Sequence, residues 1–202
     1  QAGSSLNLYT DRHVDRNLLG FDVPASVFQS INSIFIITLA PLFAALWIWL
    51  GKRGWEPSTP AKFGLALIQL GLGFLLLVAG AMAAGSGNAT PVIFIFGIFL
   101  LHTTGELCLS PVGLSAMSKL SLPRMMSLVM GVWFLATSAG DYIAGMIAAM
   151  IGNEGAESGD QVAAFLGAYR MVGGIAIGVG ALVLLLAPVI RRWMHEVETS
   201  ST

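Results

Sequence analysis

The sequence predicts an all-α integral membrane protein, in which a bundle of helices crosses a lipid bilayer. Of its 202 residues, 55% are hydrophobic and only 10% are charged, whereas soluble domains average about 25% charged residues. The mean hydropathy of +0.79 reflects the same bias. Five segments are apolar over the roughly 20 residues that a helix needs to span the hydrocarbon core, and their continuous rather than alternating pattern is typical of helices.

The five predicted spans occupy residues 27–50, 62–84, 91–118, 125–151 and 162–190. The stretch before them, residues 1–26, is polar and of mixed charge, so we expect an extracytoplasmic loop or a helix outside the membrane. Residues 27–193 form the predicted transmembrane bundle, and residues 194–202 are expected to be a cytoplasmic tail.

The charges between the spans predict the orientation of the chain. The second connection, GSGNAT, is uncharged and the fourth, NEGAESGDQ, is acidic. Because positive residues collect on the cytoplasmic side, residue 1 is expected outside the cytoplasm and the carboxyl terminus inside. An outside start and an odd number of spans predict the carboxyl-terminal part of a larger protein. Seven of the ten Lys and Arg residues flank the first and third connections or follow the fifth span, at Lys52, Arg53, Lys62, Lys119, Arg124, Arg191 and Arg192.

Glu106 needs an explanation, because it lies within an apolar span. A carboxylate there costs about 2.5 to 3.5 kcal/mol on insertion scales unless something solvates it. His102 and Ser110 lie four residues to either side, so the three share one helix face, with Thr103 beside them. Intramembrane acids favour a functional role, and a structural hydrogen bond to a neighbouring helix is the alternative. We interpret His102 as a hydrogen-bonded helix histidine rather than a proton carrier.

Pro111 and Gly113 follow Glu106 in the same span. Proline lacks an N–H and crowds the preceding turn, which frees the carbonyl of Leu107 and bends a helix. Transporters and channels place binding sites and gates at such deformable points, so we predict a gate or hinge here. The alternative is that Pro111 only sets helix packing.

Asp141 and Arg170 are two further charged residues inside spans. Counted inward from the outer ends of their spans, they lie at similar depth, and an unpaired charge of either sign is expensive in lipid. We therefore predict a structural ion pair between them, with a direct role in substrate or proton binding as the alternative.

Three further features of the spans are of interest: Asn32, Trp133 and a glycine pattern. The amide of Asn32 can donate and accept at once, which suits either a peptide-like ligand or a bond between helices. Trp133 lies below the membrane surface, where its side chain either forms part of a cavity wall or packs against lipid or the core of the bundle. Gly174 and Gly178 form a G-x-x-x-G pattern that favours close helix approach.

The sequence argues against several kinds of chemistry. It has no P-loop and no Cys/His cluster, and His13 and His195 are expected on opposite sides of the membrane, so no ATP, redox or metal site is predicted. Ser110 and His102 are about 12 Å apart along the helix axis, too far for a catalytic dyad. We expect neither an enzyme nor a cofactor.

Two stretches, FQSINSIFIITLAPLFAALW and GELCLSPVGLSAMSKLSLPRMMSLVMGVWFLATSAGDYIAG, resemble the proton-coupled oligopeptide transporter family of the major facilitator superfamily. The run G-E-x-x-x-S-P-x-G-L-S followed by M-G-V-W-F-L is specific for that family. The resemblance covers nearly the whole chain. It implies that the five spans are the eighth to twelfth helices of a 12- or 14-helix transporter, whose amino-terminal bundle and seventh helix are missing here.

The resemblance also implies roles for single residues. Asn32 matches an asparagine that holds the peptide backbone, and Glu106 matches a glutamate that meets the peptide's amino terminus. Ser110 matches a serine one turn on, and Trp133 a tryptophan of the pocket wall. The family usually has an amide where Asp141 stands.

The function implied by the resemblance is proton-coupled symport of di- and tripeptides by alternating access, with protons as coupling ion and no cofactor. The expected partners are these peptides, the missing amino-terminal bundle and membrane lipid, and no nucleic acid. The short outer loop at 85–90 favours a bacterial inner membrane. The alternatives are a transporter of a non-peptide solute, such as nitrate or another small metabolite, and a structural membrane subunit. An anion would sit poorly beside Glu106.

Overall fold

The computed structural model describes residues 5–18, 20–85, 88–120, 123–153 and 158–199, and the side chains of residues 18, 110–112, 114–123, 150–160 and 192–199 lie outside that description. Six helices dominate the described part of the chain, beside four strands of two residues each. The helices are α1 (Ser5–His13), α2 (Ala25–Lys52), α3 (Thr59–Ala84), α4 (Ile93–Leu120), α5 (Met126–Asn153) and α6 (Ser158–Thr199). The strands are β1 (Val14–Asp15), β2 (Asn17–Leu18), β3 (Phe21–Asp22) and β4 (Thr90–Pro91).

Helices α2 to α6 overlie the five apolar segments, so the predicted helical bundle is confirmed. The described apolar stretch of α4 is the shorter range Ile93–Leu109. Helix α6 continues to Thr199 and so includes most of the segment predicted to be a tail. Among the described residues, four helices are long and apolar enough to cross a membrane, over Ala25–Lys52, Thr59–Ala84, Met126–Ala149 and Gln161–Arg191.

The connection between α2 and α3 follows from its local sequence. Gly54 takes a φ of 70° just after α2, a backbone conformation that glycine adopts without strain. Pro60 stands in the first turn of α3, where its missing N–H costs nothing. In the same turn the ammonium of Lys62 lies 2.5 Å from the Glu56 carboxylate and 4.4 Å from the centre of the Trp47 ring. The basic end of this helix pair is therefore held by a carboxylate and an aromatic ring.

Helix α3 lies at the centre of the bundle because glycines let it approach α6 closely. A Cβ atom on Gly71 would lie 2.5 Å from the carbonyl oxygen of Gly173, and one on Gly180 would lie 2.8 Å from that of Gly64. Real Cβ atoms are essentially never found so close to another atom. The two backbones therefore touch at two points about two helical turns apart, and this close packing favours helix association in lipid.

The G-x-x-x-G pattern of α6 is not part of this contact. A Cβ atom on Gly174 or Gly178 would meet nothing within 4 Å. Successive residues point about 100° apart around a helix axis, so Gly173 and Gly180 face α3 while their near neighbours do not. The contact repeats at seven residues rather than at four.

Helix α4 packs on another side of α3, again over small residues. The ring of Phe94 packs onto Gly80, and a Cβ atom on Gly73 would lie 2.8 Å from the ring of His102. Helix α2 in turn packs on α4. Many apolar side chains of α2 and α5 are exposed, among them Ile37, Leu42, Ile48, Leu128, Phe134 and Leu135.

Helix α1 covers the end of the bundle at which α3 ends and α4 begins. Tyr9 is fully buried, and its hydroxyl lies 2.7 Å from the hydroxyl of Thr90. Strand β1 pairs in parallel with β4, where Val14 stands opposite Thr90. The Tyr9 ring meets Phe165 of α6 edge-on at 5.6 Å. The segment predicted as a loop or an extra-membrane helix thus contains a helix docked on the bundle, and we call α1 with β1 the cap.

His13 is the last residue of α1 and is partly buried. Its ring centre lies 5.5 Å from that of Tyr9 and 5.8 Å from that of Phe165. Burial lowers the pKa of His13 below its ordinary value of 6.5, and the neighbouring charge of Arg12 lowers it further. The neutral imidazole is therefore the form that suits the docked cap.

The backbone contact between α3 and α6 predicts that two neighbouring glycines respond differently to the same change. Gly180→Ala forces a methyl group against the Gly64 carbonyl, so we expect the free energy of unfolding to fall by about 1 to 3 kcal/mol. Gly178→Ala is the matched control on the same helix, because its methyl group enters open space. Thermal unfolding of the full-length protein in detergent measures both. Equal effects of the two substitutions would contradict the contact.

The pKa of His13 predicts that docking of the cap weakens as pH falls through about 6.5. The undocked histidine binds a proton first, so protonation favours the undocked state at low pH, whereas above that pH both states are neutral. Hydrogen–deuterium exchange of the α1 amides in the full-length protein, corrected for intrinsic rates, measures this. His13→Phe should abolish the pH dependence, and a dependence that survives the substitution would rule out His13 as its source.

Candidate ligand-binding cavity

A cavity of about 620 Å³ lies between α3, α4 and α5, with single contributions from Asn32 of α2 and Val172 of α6. This volume falls within the roughly 300 to 1,000 Å³ of small-molecule sites. The described lining is mostly apolar, as is usual for such sites. Its polar side chains are those of Asn32, His102, Glu106, Thr137 and Asp141.

Glu106 faces this cavity from α4 and is held by a residue of α2. The amide nitrogen of Asn32 lies 3.5 Å from Oε2 of Glu106, a long hydrogen bond. The hydroxyl of Thr103 donates to the amide oxygen of Asn32, and Thr103 is fully buried. Because an ionised carboxylate can only accept, these two contacts fix which end of the amide faces Glu106. Asn32 therefore contacts the carboxylate through one N–H, and its second N–H has no acceptor among the described residues.

The spacing along α4 explains why these residues meet. Thr103 and Glu106 are three residues apart, so they lie side by side on the helix surface. Asn32 of α2 reaches both from the facing helix. The same three residues thus form the polar part of the contact between α2 and α4.

His102 also lines the cavity, and it is bonded to the helix behind it. Its Nε2 lies 3.3 Å from the carbonyl oxygen of Leu70. A carbonyl can only accept, so Nε2 carries the proton. The ring stands edge-on to Phe74, with centres 4.8 Å apart. The hydrogen bond expected of His102 is therefore present in the structure.

The structure does not bring Asp141 and Arg170 together. No ion pair joins them among those formed by the described residues, and Asp141 instead lines the cavity from α5. Arg170 is exposed and follows Tyr169, whose ring is buried against Phe74. Because neighbouring residues point about 100° apart on a helix, Arg170 is directed away from the core contact that Tyr169 makes. In this bundle the two charges have different surroundings, contrary to the expected pairing.

Trp133 and Gly113 meet at the contact between α4 and α5. A Cβ atom on Gly113 would lie 2.6 Å from Cη2 of Trp133 and 3.2 Å from the ring of Phe63. Gly113 therefore lets the indole of α5 lie directly on the backbone of α4. Trp133 is not among the residues that line the described cavity.

The four residues predicted to bind a ligand lie in different surroundings. Asn32 and Glu106 line one cavity, and Trp133 packs beside it. The side chains of Ser110 and Pro111 lie outside the described residues, although the backbone of α4 is helical through both. The contact by which Thr103 orients Asn32 is not visible in the sequence, because the two residues are 71 positions apart. Within the described residues no group of three potential ligands could hold a metal ion.

Comparison with known proteins defines the class of membrane protein to which this bundle belongs. The match to a profile described as PTR2, POT family, covers residues 1–164. The chain belongs to the POT family, and the resemblance to proton-coupled oligopeptide transporters is confirmed.

Relatives of known name agree with this assignment. "Uncharacterized transporter YclF" of Bacillus subtilis (strain 168) is 38% identical over 197 residues, which make up 98% of this chain and 38% of the relative. "Peptide transporter YePEPT" of Yersinia enterocolitica subsp. palearctica is 37% identical over 205 residues, or 100% of this chain and 39% of the relative. The chain therefore spans about two fifths of the length of these relatives.

Solved structures confirm the fold as that of a major facilitator helical bundle. A variant of a peptide transporter POT, in complex with alafosfalin, superposes with a TM-score of 0.79 at 34% identity over 93% of this chain and 36% of the other. A POT family transporter in complex with 5-aminolevulinic acid gives a TM-score of 0.80 at 28% identity over 94% of this chain and 37% of the other.

The bond between Thr103 and Asn32 predicts a loss of stability on removal of one hydroxyl. Thr103→Val leaves the amide oxygen of Asn32 facing a methyl group, so we expect the free energy of unfolding to fall by about 1 to 3 kcal/mol. Thr104→Val is the matched control, since Thr104 donates only to the carbonyl of Leu101 in its own helix, at 3.0 Å. Chemical unfolding of the full-length protein in detergent measures both losses. If Thr104→Val costs as much as Thr103→Val, the bond between helices does not carry the effect.

Proposed function

We propose that this chain is the carboxyl-terminal part of a proton-coupled symporter that carries di- and tripeptides by alternating access. The observation that carries the proposal is Glu106, a carboxylate held by Asn32 at the wall of an apolar cavity. Membership of the POT family supports it, as do relatives named dipeptide and tripeptide permease B.

Glu106 would bind the amino terminus of the peptide. In a cavity of effective dielectric constant about 20, a carboxylate and an ammonium about 4 Å apart attract by about 4 kcal/mol. The ammonium would replace the water that otherwise solvates the carboxylate. Asn32 would offer its remaining N–H to a peptide carbonyl, and Ser110, one turn beyond Glu106, would hydrogen-bond the backbone.

The contact of Trp133 with Gly113 would couple the cavity to a movement of α4 at Pro111. Because the indole of Trp133 lies on the backbone of α4 at Gly113, a bend of α4 near Pro111 would shift the tryptophan and α5 with it. Trp133 would then shape a side-chain pocket in the conformation that holds the peptide, and Gly113 would be the gate residue.

The rest of the transporter would complete the cavity. The exposed apolar faces of α2 and α5 suit contact with the missing amino-terminal bundle or with lipid. The protein would lie in the bacterial inner membrane, with the cap outside and the connection between α2 and α3 inside. Arg53 lies 4.0 Å from the centre of the Trp49 ring, and such pairs of basic and aromatic residues are typical anchors at a membrane surface.

A small non-peptide amine is the second candidate substrate. The complex of a POT family transporter with 5-aminolevulinic acid favours it, because that ligand has an amino group and a carboxylate, as a dipeptide does. Nitrate is disfavoured, since two carboxylates line the described cavity.

Glu106→Gln tests the proposal. We expect it to reduce proton-driven uptake of labelled dialanine into liposomes, by the full-length protein, by more than about tenfold, because a neutral amide loses the attraction for the ammonium. Asp22→Asn is the control, since that carboxylate is exposed outside the cavity and its removal should leave uptake unchanged.

Exchange of labelled for unlabelled dialanine across the membrane, with no proton gradient, separates two roles of Glu106. Loss of exchange as well as of uptake assigns Glu106 to the peptide site, and loss of uptake alone assigns it to proton coupling. Uptake at the wild-type rate by folded Glu106→Gln protein would return Glu106 to a structural role.

A further inference from the structure

Asp141 is a second carboxylate in the cavity, and the proposed function assigns no role to it. It lines the cavity from α5, whereas Glu106 lines it from α4. No Lys or Arg is present among the described lining residues. His102 is bonded to the Leu70 carbonyl through its one N–H. Protein cations within the described cavity therefore do not neutralise Asp141.

The surroundings of Asp141 leave space for a ligand group. Its neighbours in the lining include three small residues, Ala136, Gly140 and Ala144, beside the larger Ile143. A Cβ atom on Gly140 would meet nothing within 4 Å. One turn before Asp141, Thr137 donates its hydroxyl proton to the carbonyl of Trp133 at 3.0 Å, so its oxygen is left with lone pairs that can accept.

Two carboxylates in one apolar cavity repel each other unless both are neutralised. A peptide amino terminus supplies one positive charge, which the proposed function assigns to Glu106. A peptide with a basic side chain supplies a second. We propose that Asp141 is a specificity-determining residue that receives the cationic side chain of a lysine- or arginine-containing dipeptide, with Thr137 as a further acceptor.

The inference rests on the proposed function but adds a preference to it. A neutral dipeptide satisfies Glu106 and leaves Asp141 to water, whereas a basic dipeptide forms charge-assisted hydrogen bonds with both carboxylates. An acidic dipeptide adds a side-chain carboxylate to the terminal carboxylate that every dipeptide carries, which increases its repulsion from Glu106 and Asp141. The expected order of affinity is therefore basic, then neutral, then acidic.

The test uses the full-length protein in liposomes and competition between dipeptides. Unlabelled alanyl-lysine, dialanine and alanyl-glutamate compete with labelled dialanine for uptake. In the wild type we expect half-inhibition by alanyl-lysine at a concentration about tenfold lower than by dialanine, as one charge-assisted bond provides. In Asp141→Asn the ratio of these two concentrations should approach one, and in Asp141→Glu the preference should persist.

Asp141→Lys keeps the test decisive if Asp141→Asn does not fold. It should reverse the order, so that alanyl-glutamate competes better than alanyl-lysine. Arg170→Gln is the control for a structural role. It should leave the ratio at its wild-type value. If Arg170→Gln lost the preference for alanyl-lysine as Asp141→Asn does, the two residues would act as a pair, and the inference would be overturned.

Failure of the inference is distinguishable from failure of the proposed function. Wild-type protein that transports dialanine without preferring alanyl-lysine, or Asp141→Asn with an unchanged ratio, overturns the specificity role alone. Wild-type protein that takes up no dipeptide overturns both.

Discussion

The contact between the backbones of α3 and α6 determines where the other helices lie. In lipid no hydrophobic force drives helices together, so their association depends on close packing and on hydrogen bonds. Gly64 and Gly71 give α3 a surface without side chains that faces a similar surface on α6. With α6 on one side, α3 presents a different side to α4, and α4 carries Glu106. The helix that carries Glu106 therefore packs on α3, which itself contributes part of the cavity wall.

The contact between α2 and α4 also joins two helices, but it depends on hydrogen bonds rather than on close backbone packing. Asn32 connects a buried hydroxyl to the carboxylate at the cavity wall. The Thr103 hydroxyl is fully buried, so without the Asn32 amide it would be left as an unsatisfied polar group, which is costly. This cost holds α2 in register with α4, although α2 is otherwise largely exposed. One amide thus serves both helix association and the geometry of the cavity.

The sequence predicted what depends on local pattern and missed what depends on the angle at which helices face one another. Apolar length revealed the spans, and the four-residue spacing of His102 and Glu106 revealed their shared face, which the cavity confirms. A glycine pattern within one helix does not say which face meets a partner, and the contact falls on Gly173 and Gly180 rather than on Gly174 and Gly178. Asp141 was paired with Arg170 on depth alone, and depth does not give the direction of a side chain. The family resemblance identified Asn32 and Glu106, but the hydroxyl of Thr103 that orients the amide needed three-dimensional placement.

The cap also has a consequence for the order in which the chain is assembled. Helix α1 is synthesised before every span described here, yet its partners come later: Tyr9 bonds a residue 81 positions further on, and its ring meets Phe165 at the start of α6. Contacts so distant in sequence form only after the intervening chain is in place. The cap can therefore dock fully only after the first turns of α6 have formed. Until then the Tyr9 ring lacks its contact with Phe165, so docking of the cap indicates that α2 to α5 and the start of α6 are in place.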